Sequence, residues 1–203
     1  MVAPLPPADA SVARIASPRD PQAFTRAGFF RRGINFDLLE VGSVQAIGPG
    51  GSVAGILLGI GPEFDLGTRA AIRVSLQLAV AAGTSGSTLE ETEASSFFDL
   101  VVAPRYVYRF RYAQTQKVVP YVGGGLDMGL FQFGRKLLDL EPSPPGTAQA
   151  FVRLGIAPDV FGGILYCPTR LFSLRFAVGY TYFYVAHTSL HVLSETVAAR
   201  FSF

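Results

Sequence analysis

Apolar residues alternate with other residues along most of the chain. In residues 69–81 (RAAIRVSLQLAVA) every even-numbered position is apolar, while the odd-numbered positions carry Arg, Ala, Ser and Gln. Successive side chains of a β-strand point to opposite faces. This segment therefore predicts a strand with one oily face and one mixed face. The same pattern predicts strands over 53–65, 97–111, 118–134, 151–166, 171–187 and 192–203.

The segment 33–47 is less regular. Ile34, Phe36 and Leu38 share the oily face, but Glu40 then takes the same parity. One extra residue in the strand, a β-bulge, would restore the alternation. With that bulge the sequence predicts eight strands.

The segment 118–134 (VVPYVGGGLDMGLFQFG) combines a continuous oily face with an opposite face that holds Asp127 among glycines. A charge beside small residues indicates a crowded interior in which the charge has a partner. We expect Asp127 to pair with Arg105 or Arg73, and Gly123, Gly125 and Gly129 to make room for the long arginine side chains.

The composition indicates a lipid environment. Only 16% of residues are charged and 49% are hydrophobic, against about 25% charged in soluble domains. No run of about 20 apolar residues occurs, which excludes an ordinary transmembrane helix. Strands cross a bilayer only as a closed barrel, and bacterial barrels have an even strand number. We therefore predict an all-β fold, an eight-stranded antiparallel transmembrane β-barrel of the outer-membrane type.

Connections of two kinds alternate between these strands. DLGTR, YAQTQK and CPTR are short, whereas GTSGSTLEETEAS and GRKLLDLEPSPPGTAQ are long. Short periplasmic turns, longer outer loops and periplasmic N- and C-termini are expected for such a barrel. Residues 1–22 form a Pro- and Ala-rich leader, expected to be disordered or weakly docked, and 23–203 form the barrel. A soluble lipocalin-like barrel is the alternative fold.

Several classes of function are disfavoured. The net charge is +2 and the arginines are scattered, so nucleic-acid binding is not expected. Cys167 is the single cysteine, which precludes an intrachain disulfide. We expect no metal site and no cofactor, because no set of ligand residues has a suitable spacing.

Three short segments carry a family resemblance: PYVGGGLDMGL, GYTYFY and the terminal ARFSF. They resemble pieces of the small OmpA-like and OmpW-like outer-membrane barrels, over about 30–203. The resemblance implies an integral protein of the outer membrane of a Gram-negative bacterium, surrounded by lipid and lipopolysaccharide. It also implies that Phe203 is an assembly signal for the barrel-insertion machinery.

The inward positions divide by height into two groups. Towards the periplasm they are charged, which predicts a closed network of ion pairs; its members are Glu63, Asp65, Arg69, Arg73, Arg105, Arg109, Asp127, Asp159, Arg175 and Arg200. Towards the outer loops they are apolar and predict a pocket; its members are Leu57, Ala79, Val101, Phe131, Phe133, Phe183 and Val185. The resemblance to OmpW-like barrels implies that small hydrophobic molecules enter such a pocket from outside and leave sideways into the membrane.

Two other functions stay open. The barrel can be purely structural or a surface-interaction protein whose loops contact a partner. It can also be a lipid A-modifying enzyme, because His187, Ser189 and Glu195 resemble the triad of outer-membrane lipid A deacylases, in which a base activates the serine. Against catalysis, His187 and Ser189 have inward parity in this register, whereas those enzymes act on the lipid-facing surface.

Overall fold

The computed structural model describes residues 33–85, 93–110, 117–140, 150–169 and 171–203. It contains eight strands: β1 (Ile34–Gly48), β2 (Gly51–Asp65), β3 (Ala70–Ser85), β4 (Glu93–Arg109), β5 (Val118–Gly134), β6 (Ala150–Tyr166), β7 (Phe172–Val185) and β8 (Thr188–Ser202). Within the described residues no helix is long and apolar enough to cross a membrane. The predicted leader 1–22 lies outside the described residues.

The strands form one closed antiparallel barrel in chain order, with β1 hydrogen-bonded to both β2 and β8. The predicted all-β, eight-stranded fold is confirmed. Closure gives every strand a neighbour on both sides, so no free edge strand remains.

The two ends of the barrel differ. We call the end with the hairpin Gly48–Gly51, residues 135–140 and the hairpin at Ala186–His187 the loop end; the opposite end, with Ile34 and Ser202, is the terminus end. Ala186 and His187 have φ values of 52° and 67°, as the two central residues of a type I′ turn require. This two-residue turn makes β8 begin at Thr188, four residues earlier than the sequence pattern predicts.

The outside of the barrel is apolar and the inside holds the charges. Arg73, Arg109 and Glu63 are almost fully buried. The exposed outward side chains include Ile56, Leu58, Ile60, Leu76, Val80, Leu100, Val102, Leu126, Met128, Leu154, Ile156, Val160, Val178 and Val197. This distribution is the reverse of that in a soluble lipocalin-like barrel, which would hold its apolar residues inside.

The bulge in β1 lies where the sequence predicts it. The register shifts between Asp37 and Glu40 against β2, and between Asp37 and Leu39 against β8. Leu38 and Leu39 consequently both face outward, while Asp37 and Glu40 are both buried. Asp37 has the inward parity before the bulge, and the extra residue turns Glu40 into the interior beside it.

Candidate functional site

The loop-end half of the interior is an apolar cluster. All seven predicted pocket residues lie in it: Leu57, Ala79, Val101, Phe131, Phe133, Phe183 and Val185. The register explains this convergence, because Leu57 pairs with Ala79 and Val101 with Gly129 on neighbouring strands at similar heights. The cluster also contains Val44, Ala46, Val53, Ala81, Phe97, Leu137, Leu138, Ala157, Leu190 and Val192.

Aromatic rings form the centre of the apolar cluster. The ring of Phe183 lies 4.8 Å from that of Phe131 and 5.5 Å from that of Phe133, both at 71°. Phe97 packs 5.8 Å from Phe133. Edge-to-face contacts at these distances stabilise aromatic pairs beyond the area that they bury. The pocket predicted from the sequence is therefore largely filled by its own side chains.

Residues 135–140 close the apolar cluster from the loop end. Leu137 and Leu138 are buried in the cluster, and the Leu137 carbonyl oxygen accepts a hydrogen bond of 3.3 Å from the backbone N–H of Gly50. This turn thus reaches from β5 to the β1–β2 hairpin. The length of the segment 134–149 predicts only a long outer loop and not this cap, although the Leu-Leu pair in GRKLLDL is an apolar element that could have indicated it.

The wall between β6 and β7 is incompletely paired. The two strands pair from Asp159–Thr181 to Tyr166–Leu174, whereas β6 pairs with β5 along its whole length. Pairing with β7 therefore ends next to Pro158, which has no N–H to donate. The loop-end half of β6 is left without a partner on its β7 side among the described residues.

A cavity of about 100 Å3 lies in this β6–β7 gap. Its inward lining includes Phe131, Phe133 and Phe183, and its lining also includes the outward-facing Ile156 and Tyr184. The cavity therefore passes between the strands and connects the apolar cluster with the outside of the barrel wall. Arg153, at the loop end of β6, also borders it.

The terminus-end half of the interior is a network of ion pairs. Arg105 Nη2 lies 2.8 Å from Asp127 Oδ1, and Arg105 Nε lies 2.7 Å from Asp159 Oδ2. The predicted pairing of Asp127 with Arg105 is thus present. Thr181 donates a further hydrogen bond of 3.1 Å to the second Asp127 oxygen.

A second group of the network lies nearest the terminus end. Arg109 forms ion pairs with Glu63 and, at 2.7 Å, with Asp65. Arg200 on β8 also pairs with Glu63. These contacts link β2, β4 and β8 across the lumen.

The centre of the network is formed by Asp37 and Glu40, two carboxylates outside the predicted set. Arg73 pairs with Glu40 and lies 3.1 Å from Asp37; Arg175 lies 3.0 Å from Glu40 and 3.2 Å from Asp37. Thr196 donates a hydrogen bond of 2.8 Å to Glu40. Asp37 has inward parity, which is the signal that places it in the network. The parity break at Glu40 predicts the bulge but does not show whether Glu40 turns inward, because the pattern does not fix the position of the extra residue.

Arg69 is a correction to the predicted network. The residue has inward parity, but β3 begins only at Ala70, and Arg69 is exposed in the preceding turn. Strand parity places a side chain only within the strand, and an arginine beyond the strand end has no reason to enter a crowded lumen.

The glycines of β5 admit the close approach of neighbouring groups, and at one position an arginine is among them. A Cβ on Gly125 would overlap with the Pro104 carbonyl oxygen of β4 and would lie 2.8 Å from Cγ of Arg105, so glycine here admits both the β4 backbone and, as predicted, the arginine side chain. At Gly129 the neighbouring atoms belong to the β4 backbone at Leu100 and Val101, so the prediction of room for an arginine is wrong there. At Gly123 the neighbour is instead the ring of Phe161. That ring lies 5.7 Å from the Arg105 guanidinium carbon, a cation–π contact.

The predicted triad is not assembled. Ser189 and Glu195 are six residues apart on β8, about 20 Å at the rise of a strand. His187, in the hairpin turn before β8, lies still further from Glu195. The inward parity assigned to Ser189 is also wrong: the early start of β8 places Ser189 opposite Tyr184 on the outward face, beside His191. His191 Nδ1 is in turn 2.7 Å from the Tyr180 hydroxyl.

The last residue completes the barrel seam. The backbone N–H of Phe203 donates a hydrogen bond of 3.1 Å to the Ile34 carbonyl oxygen, and its ring is exposed. Among the described residues no group of three or more His, Cys, Asp or Glu side chains is arranged to hold a metal ion.

A comparison with protein-family models found no match, and neither did a comparison with curated proteins. Solved structures do match. The crystal structure of Neisserial surface protein A has a TM-score of 0.60 at 16% identity, covering 84% of this chain and 97% of that chain. The outer membrane protein OprG from Pseudomonas aeruginosa gives 0.55 at 10% identity, covering 85% and 97%.

A third match is the solid-state NMR structure of the outer membrane protein AlkL in DMPC bilayers, with a TM-score of 0.51 at 14% identity, covering 86% of this chain and 92% of that chain. Together with the reversed distribution of apolar and charged residues, these matches define the class: an eight-stranded β-barrel of the outer-membrane type. The resemblance to small outer-membrane barrels is thereby confirmed for the fold, and the activity must be argued from this chain's own residues.

Proposed function

We propose that this chain is an integral barrel of a bacterial outer membrane that binds a small hydrophobic ligand in the apolar cluster and exchanges it with the membrane through the β6–β7 gap. The observation that carries this proposal is the cavity of about 100 Å3, which joins buried aromatic rings to the outward-facing Ile156 and Tyr184. A route that crosses an apolar wall suits molecules that partition into lipid.

The layering of the interior favours lateral exchange over conduction along the barrel axis. Leu137 and Leu138 cover the cluster from the loop end, and the ion-pair network crosses the lumen below it, where a cavity of about 40 Å3 remains beside Glu40, Arg105 and Asp127. An eight-stranded barrel has room for its own side chains or for one small ligand. The β6–β7 gap is therefore the route that requires the least rearrangement.

The size of the cavity limits the ligand class. A dry cavity of about 150 Å3 accepts benzene, so about 100 Å3 holds less than one aromatic ring without movement. We infer that a short alkyl chain enters directly, and that larger ligands displace the Phe183 ring. Arg153 at the border of the cavity provides a polar contact for the head of an amphiphile.

The proposed setting follows the fold class. In a bacterial outer membrane the loop end would face outward into lipopolysaccharide and both termini would be periplasmic. Phe203 would be the assembly signal for the barrel-insertion machinery. The exposed ring of Phe203 at the end of β8 is compatible with recognition by another protein before insertion.

Binding is tested with a tryptophan reporter, because the chain contains no tryptophan. Phe133→Trp places the only indole in the apolar cluster, and Leu76→Trp places it on the outward face of β3 as a matched control. The barrels are reconstituted in lipid nanodiscs and titrated with 1-bromododecane, whose bromine quenches indole fluorescence. Saturable quenching of Phe133→Trp with linear quenching of Leu76→Trp would support the proposal. Linear quenching of both variants would refute a pocket and favour a structural or surface-interaction barrel.

The route is tested with a disulfide across the gap. Ile156→Cys with Tyr184→Cys joins the two outward residues of the cavity lining, in the Phe133→Trp background. The control pair, Met128→Cys with Ile156→Cys, joins the paired strands β5 and β6. Oxidation should slow quenching only for the first pair, and reduction should restore it. Equal rates before and after oxidation of the first pair would exclude lateral entry.

A further inference from the structure

A polar stripe interrupts the apolar outside of the barrel at the seam between β1 and β8. We call it the outward stripe, and its members are Ser43, Gln45, Ser189, His191 and Glu195. By contrast, the outward positions of β3 from Ala70 to Ala82 are all apolar, and those of β6 from Val152 to Tyr166 are apolar, proline, glycine or aromatic.

Glu195 is the unusual member of the stripe, because it lies within the lipid-facing belt and not at its border. The Tyr180–His191 pair lies four residues away along β8 and the Phe172–Phe201 pair lies six residues away on the other side. At about 3.3 Å per residue these are about 13 and 20 Å along the strand. The side chain is exposed, and among the described residues none donates a hydrogen bond to it.

A carboxylate in this position is unfavourable in hydrocarbon. Charged residues on the lipid face of a barrel destabilise it most near the bilayer midplane, and an intramembrane ionisable residue indicates a functional contact. The neighbours of Glu195 show what the contact needs. Ser43 lies directly opposite it on β1 and Gln45 is the next outward residue, so hydrogen-bond donors flank the acceptor at nearly the same height.

We propose that the chain forms a two-fold symmetric dimer through β1 and β8, in which Glu195 of each copy accepts hydrogen bonds from Ser43 and Gln45 of the second copy. A two-fold axis along the membrane normal keeps heights equal and places β8 of one copy against β1 of the other. The outward stripe is then self-complementary, as a two-fold interface requires. Each Glu195 then has hydrogen-bond donors within the dimer, so it needs no basic residue from another protein. Small polar residues are also common at contacts between transmembrane helices.

This interface is independent of the proposed ligand route. Only β7 separates the β6–β7 gap from the seam, and Ser189 of the stripe lies opposite Tyr184 of the gap. The residues that form the proposed contacts, Ser43, Gln45 and Glu195, do not line the cavity. Failure of ligand binding would not affect this proposal, and a monomeric barrel would not affect the proposed pocket.

The test is energy transfer between donor- and acceptor-labelled full-length chains in phosphatidylcholine vesicles. The label is attached at Gly67→Cys in a Cys167→Ser background, since a side chain at position 67 would meet no atom within 4 Å. Energy transfer should rise saturably with the protein-to-lipid ratio. Transfer no greater than that of randomly distributed monomers would overturn the proposal.

Variants then locate the interface. Glu195→Leu should raise the dissociation constant about fiftyfold, corresponding to loss of four hydrogen bonds of modest strength, two at each of the two symmetric sites. Ser43→Ala should weaken association in the same direction, while Glu195→Gln, which keeps an acceptor oxygen, should retain most of it. Leu76→Ala, on the outward face of β3, is the matched control. Equal association of Glu195→Leu and the parent, or equal weakening by Leu76→Ala, would refute the interface.

Discussion

Replacing Glu40 by alanine should strongly destabilise the barrel. Glu40 lies at the bulge of β1 and is the carboxylate on which Arg73, Arg175 and Thr196 converge. Gln77 adds a hydrogen bond of 3.2 Å. Its removal leaves two buried guanidinium groups that share only Asp37.

The magnitude follows from these contacts. Breaking a buried ion pair by removing one partner costs about 3–5 kcal/mol, because the other charge is left buried and unpaired. Two arginines lose a partner here, but each keeps a contact with Asp37 at 3.1 or 3.2 Å, which limits the loss. We therefore expect the free energy of unfolding to fall by about 4 kcal/mol.

The assay is equilibrium urea unfolding in lipid vesicles, followed by the shift in gel mobility between folded and heat-unfolded barrel. Thr196→Val is the matched control: it removes one hydrogen bond to the same carboxylate and should cost about 1.5–3 kcal/mol. A loss below about 1 kcal/mol for Glu40→Ala would refute the role of Glu40 as the centre of the network. It would mean that water or Asp37 satisfies both arginines.

Three further changes test other parts of the structure in the same unfolding assay. Gly125→Val should greatly reduce the yield of folded barrel, because its Cβ would overlap with the Pro104 carbonyl oxygen and lie 2.8 Å from Arg105 Cγ, whereas Gly67→Ala should leave the yield unchanged. Equal yields would refute the close approach. Leu137→Ala should lower the free energy of unfolding by about 2–5 kcal/mol, and an unchanged value would show that the cap is not packed in solution. Arg69→Ala should leave the urea midpoint unchanged, since the side chain is exposed; a clear decrease would return Arg69 to the network.

The strands and the two faces were predictable because the alternation has a period of two and the interior and exterior differ in kind. An outward Leu76 and an inward Arg73 follow directly from parity once a strand is recognised. The pairing of Asp127 with Arg105 was predictable for the same reason: a narrow lumen leaves a buried carboxylate few positions from which an arginine can reach it.

The predictions made from strand parity fail where the alternation changes phase or where a strand ends. Ala186 and His187 adopt positive φ without being glycine, so the sequence does not mark the turn, and parity predicts the wrong face for Ser189. The face that Glu40 takes is ambiguous for a similar reason, because the pattern does not show which residue of β1 is the extra one. The closure of the apolar cluster by Leu137 also could not be predicted, because it depends on where a long loop returns.

The network distributes charge unevenly along the chain, and this bears on how the barrel assembles. The buried charges of β1 and β2 are the acids Asp37, Glu40, Glu63 and Asp65, whereas those of β7 and β8 are the bases Arg175 and Arg200. A sheet that has inserted without closing would expose these opposite charges at its two margins. Joining the first strand to the last neutralises both margins in a single step, so open intermediates are disfavoured and the two margins attract each other before the final hydrogen bonds form.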